Sequence, residues 1–127
     1  MTNPTTTDNK SLDLVRRLDA FVWDNDNFDQ DGLMIFARNV MGDIHRAFRD
    51  QDENARRLVS LSAELHDNIR AGRGTQFDVD RIAQTSRDLA DSQSRFDSNL
   101  HTLRALLSSL ATDDDSKAIV RSLFYIR

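Results

Sequence analysis

Three small constellations in this chain have residue types and spacings that could do chemistry. Asn27, Asp29 and Asp31 set an oxygen-bearing side chain at every second residue just before Gly32, an arrangement suited to a hard cation such as calcium. His101, with Arg104 one turn on, would place an imidazole on a helix surface beside a cation able to steady an added phosphoryl group. Asp97 and His101 lie four apart, and a helical hairpin would bring His45 near Thr102, so that Asp97, His101 and His45 could converge on a metal.

The segment Asn27-Phe28-Asp29-Gln30-Asp31-Gly32 resembles the opening of an EF-hand loop, and the resemblance implies a calcium-responsive helix-loop-helix. At the twelfth place, where such a loop carries a bidentate glutamate, this chain has Arg38. The stretch Leu100-His101-Thr102-Leu103-Arg104-Ala105 is similar to the phosphorylated helix of histidine phosphotransfer domains, which carry His-x-Leu-Lys-Gly on a four-helix bundle. That resemblance implies a signalling role for His101, with Arg104 in the place of the lysine and Ala105 in that of the glycine. A di-iron bundle requires several glutamates and Glu-x-x-His pairs, whereas only Glu53 and Glu64 are present and neither sits in that motif. No nucleophile-base-orienter set or phosphate-cradling glycine loop is discernible. Helix capping explains the acidic loop and a solvated position explains His101, so the expectation is a non-enzymatic protein with no metal or cofactor.

Composition narrows what could position such residues. One proline, four glycines and long periodic stretches in 127 residues indicate a single all-helical domain over 11–127, preceded by a disordered, threonine-rich tail over 1–10. The net charge of -4 is spread along the helices without a basic stripe, which disfavours nucleic acid. There is no cysteine for disulfide or thiolate chemistry, no apolar stretch after the polar N-terminus, and no apolar run of the ~20 residues a bilayer requires. A cytoplasmic protein with no membrane association is expected. Of the 21 acids 19 are aspartate, a poor helix former, so packing must supply much of the helical stability.

The packing is written in two mirrored seams. Met34, Ala37, Met41, Ile44, Phe48, Gln51, Ala55, Leu58, Ser62, Leu65 and Ile69 step by three and four, as do Val79, Ile82, Ser86, Leu89, Gln93, Phe96, Leu100, Leu103, Leu107 and Leu110. Folded at Gly72-Arg73-Gly74, the runs meet with residue numbers summing to 147 or 148. This sets Leu58 against Leu89, Phe48 against Leu100 and Gln51 against Phe96. The spacing therefore predicts a long antiparallel coiled-coil hairpin, about 32–71 and 78–111. A break near Asp50-Gln51-Asp52 is an alternative to one continuous first helix. Gly72 would close the first helix and Thr75 or Asp78 would cap the second.

Shorter helices flank the hairpin. One starts at Ser11 as N-cap and runs to about Trp23; the other follows Asp113-Asp114-Asp115-Ser116. Extra apolar residues at the open end, such as Phe36 and Val40, predict that both pack there as a four-helix cluster, with Trp23 and Phe36 in its core, while the tip projects as a two-stranded arm. Such an arm buries a narrow seam and gains by pairing. Gln51 and Gln93 would form a diagonal amide layer, Ser62 would oppose Ser86 in a small layer beside Ala55, and Leu123, Phe124 and Tyr125 would offer an intermolecular contact. The expected role is an assembly, scaffold or adaptor subunit. Its partner would be protein, either a second copy or the helices of a larger complex.

Overall fold

A computed structural model describes residues 9–24 and 33–124, with the side chains of Asn9 and Leu33 outside that description. Four helices follow one another: α1 (Asn9–Asp24), α2 (Leu33–Arg70), α3 (Gln76–Leu110) and α4 (Asp114–Leu123). α2 runs without interruption through Asp50-Gln51-Asp52, so the alternative of a broken helix is set aside. α1 begins at Asn9, two residues before the expected Ser11 cap, and takes in two residues assigned to the tail. The metal-ligand candidates Asn27, Asp29 and Asp31 and the contact candidate Tyr125 lie outside the described residues.

α2 and α3 form the hairpin, and its bend has the chemistry of the local sequence. Gly72 takes φ +70, the left-handed conformation that glycine adopts without penalty. The N–H of Gly72 then donates to the carbonyl of Ile69 and that of Arg73 to the carbonyl of Asn68, the paired bonds of a Schellman closure. Thr75 precedes α3 as its N-cap residue, yet its side chain makes no capping bond. Asp78, the other cap candidate, is buried and accepts a 2.7 Å bond from Asn68 Nδ2 across the hairpin. α4 is capped as its sequence suggests, Asp113 accepting from the Ser116 backbone N–H at 2.7 Å.

The apolar core gathers at the open end. Leu18 and Val22 of α1, Met34, Met41 and Ile44 of α2, and Leu103 and Leu107 of α3 are all but sealed from solvent, and Val120 and Leu123 of α4 close the cluster. α1 runs antiparallel along α2, with Arg38 Nε donating to the Val22 carbonyl and His45 Nε2 meeting Asp19 Oδ1 at 3.1 Å. Arg104 lies over the ring of Phe124, joining α3 to α4, and Arg17 donates to the Ser122 carbonyl, joining α1 to α4. Because α1 and α4 touch, they cover the same side of the hairpin.

Several expectations for this end need correction. Leu123 is buried and Phe124 is partly buried against the core, so they hold α4 in place instead of offering a free contact. Trp23 and Phe36 are more than half exposed, at 56% and 58%. Phe36 falls on the outward side of α2, away from the stripe of Met34, Ala37 and Met41, and Trp23 stacks under the Arg38 guanidinium at 5.0 Å.

Candidate interaction surface

Beyond Phe48 and Phe96, whose rings meet at 6.0 Å, the hairpin continues as a two-helix arm with a different interior. Between those two residues the fully buried side chains are Leu61, Asp78, Thr85 and Ser92, one apolar and three polar. The polar ones are bonded or small: Asp78 to Asn68, and Ser92 Oγ to the Leu89 carbonyl at 2.8 Å. Over the same stretch Val59, Ile69, Phe77 and Val79 remain 45% to 71% exposed. The arm shows solvent more large apolar side chains than it fully buries.

This interior corrects which residues form the predicted seam. Leu58, Leu65, Ile82 and Leu89 are partly buried, as expected of seam residues. At alternate layers the buried position lies one residue nearer the other flank: Leu61 replaces Ser62, Asp78 replaces Val79, Thr85 replaces Ser86 and Ser92 replaces Gln93. The ring of Phe48 meets that of Phe96, and Phe48 and Leu100 both pack partly buried against the core. Gln51 is partly buried while Gln93 is exposed, so they form no interior amide layer, and Ser62 and Ser86 are both exposed. The physical reason is visible at each step. Turning Leu61 inward removes a leucine from water where the predicted seam would bury a serine, and Ser92 is small enough for close helix approach where a glutamine is not.

The two faces of the arm differ in chemistry. On one, Glu64 pairs with Arg81 at 3.1 Å and Asp50 with Arg95 at 3.3 Å, both bridging α2 to α3. Arg57, Gln84 and Asp88 line a recess on the same side. On the other, residues seven apart continue the stripes that α1 and α4 cover at the base. Met34, Met41 and Phe48 lead to Ala55, Ser62 and Ile69; Leu107 and Leu100 lead to Gln93, Ser86 and Val79. The first members of each stripe are buried or partly buried and the last are exposed. Four of the predicted interaction residues, Ala55, Ser62, Ser86 and Gln93, thus come together on one surface, though outside the seam and not within it.

The chemical constellations do not assemble among the described residues. No group of three histidine or acidic side chains there is placed to hold a metal ion. His45 pairs with Asp19 of α1, not with Asp97 or His101. His101 is exposed, and the neighbouring Arg104 is stacked on Phe124. Among the described residues no helix is long and apolar enough to cross a membrane. Sequence reasoning missed Val59 and Phe77 as exposed apolar groups on the arm; each lies off the three-four seam, which was the available signal. Comparisons with protein-family models, with curated proteins and with solved structures found no match to this chain.

Proposed function

We propose that this chain is a non-enzymatic helical interaction protein of the cytoplasm, an assembly, scaffold or adaptor subunit that docks through its arm. The observation that carries this reading is the inverted burial of the arm, where one leucine is enclosed while Val59, Ile69 and Val79 face water. Apolar groups held on a rigid two-helix surface lose little conformational entropy on docking, and covering them contributes ~25 cal/mol per Å² of apolar area. The base supports the reading as well, since a four-helix core anchors the root of the arm and presents its surface in one geometry.

A photo-reactive amino acid introduced in cells tests the proposal. Placed at Val59 on the uncharged face, it should yield a specific higher-mass adduct, whereas at Gln84 on the charged face it should not. Absence of any specific adduct from Val59 and from Ser86 would overturn the assembly reading.

A further inference from the structure

We infer that the bare face of the arm is the docking site for a second copy of this chain, the two arms lying antiparallel and face to face. This rests on the assembly reading above and names its partner. At the base, α1 and α4 cover the heptad stripes that contain Met34, Met41 and Leu107. In the arm the same stripes carry Ala55, Ser62, Ile69, Gln93, Ser86 and Val79 with no helix above them among the described residues. Another hairpin laid there supplies the missing layer, and the four-helix section of each copy continues into the other.

Charge and size favour a second copy over an unlike partner. Those six positions carry no ionisable group, and neither do Val59, Ala83 and Ala90 on the outer flanks, whereas His66 near the tip and Asp52 and Asp97 at the base end do. A surface without fixed charge neither selects an oppositely charged partner nor repels its own copy. The fixed charges along its outer edge, Arg56, Arg70, Asp80 and Arg87 with Asp52 and Asp97, are mixed in sign, and Asp52 already pairs with Arg56 at 3.1 Å. Antiparallel pairing lays each tip toward the other copy's base, whereas parallel pairing would set the α1 and α4 layers of the two copies against each other. From residue 52 to 70 the face is roughly 28 Å long and about 20 Å wide, or ~560 Å² on each copy. Two such faces together reach the ~1,000 Å² that a specific interface needs, at the modest end of the range.

Antiparallel pairing also places Ser62 of one copy near Ser62 of the other, at the middle of the arm. Light scattering on the purified full chain should give twice its 14.5 kDa mass at high concentration. The double substitution Ser62→Arg and Ser86→Arg should return it to a single copy with its circular dichroism unchanged, because both serines are exposed. The chain has no native cysteine, so Ser62→Cys should oxidise to a covalent dimer while Gln84→Cys on the charged face should not, a readout that holds even where the arginine variant fails to fold. A single-copy mass at the highest soluble concentration, or a dimer that survives the arginine pair, would overturn this inference. If the Val59 adduct still forms in cells with a different protein, the assembly reading stands without it.

Discussion

The base and the arm are built from the same two helices, with the same heptad spacing, and differ in what lies above them. Around Met34, Met41, Leu103 and Leu107 two further helices complete an apolar interior. Around Leu61, Thr85 and Ser92 nothing among the described residues does, and the seam shrinks to a narrow, partly polar strip. The burial of a coiled-coil position is therefore decided by the number of helices at that level as much as by its spacing in sequence. Where four helices meet, the buried sector is broad; where two meet, it contracts toward the partner helix.

Leucine truncations at the two levels should separate the regions most strongly. Leu103→Ala opens a cavity in the four-helix core and should destabilise the whole chain by about 3–5 kcal/mol, whereas Leu61→Ala should cost about 2–3 kcal/mol. Thermal unfolding gives the totals. Hydrogen exchange should localise the Leu61 effect to residues 55–90 and spread that of Leu103 through α1 and α4. Equal and global effects would mean that base and arm unfold as a single unit.

Next in size is the buried polar pair at the tip. Asn68→Ala leaves the Asp78 carboxylate enclosed without the amide that now bonds to it, and a loss of about 1–3 kcal/mol is expected. Replacing both by apolar residues should recover much of that loss. By contrast, the exposed pairs Glu64–Arg81 and Asp50–Arg95 should each contribute below about 1 kcal/mol and weaken with salt.

Gly42 offers a smaller change of opposite sign. A Cβ added there meets nothing within 4 Å, and glycine in a helix interior costs roughly 0.5–1 kcal/mol relative to alanine, so Gly42→Ala should stabilise the base by about that amount. The smallest effect belongs to the α4 cap. The Ser116 backbone N–H holds the Asp113 carboxyl below its ordinary range. A folded-state pKa below the unfolded one gives a contribution that is full above the unfolded value and lost as pH falls through the folded one. Asp113→Ala should therefore lower the melting temperature slightly at neutral pH, and its difference from the unmodified chain should vanish in strong acid.

Much of this architecture is legible in the sequence because it is written in strong local signals. The glycine at 72 marks the bend, the uninterrupted periodicity marks two long helices, and the apolar excess around Val40 and Leu106 marks where the outer helices pack. Which residues fill the seam of the arm is not legible in the same way. Positions 55, 62 and 69 continue the spacing of Met34, Met41 and Phe48, and spacing alone carries no information about where α1 and α4 stop. The clue lay in residue type: Leu61 sits beside Ser62, and a two-helix seam takes the leucine. For the candidate surface, Ser62, Ser86 and Gln93 are expected inside the seam and lie instead on its flank. They share one side of the arm because they lie next to the seam on both helices, and they are exposed because the layer above them ends at the base. Trp23 was misplaced because its breadth of apolar surface reads as core, while its position at the end of α1 leaves it to cover Arg38 instead.

Hydrogen exchange along α2, measured as a function of protein concentration, tests the proposed docking role of the arm most directly. Amides of residues 37–48 should be strongly protected at every concentration, while those of residues 55–69 should exchange faster in dilute solution and slow as concentration rises. Uniform protection along the whole helix, unchanged by dilution, would contradict it.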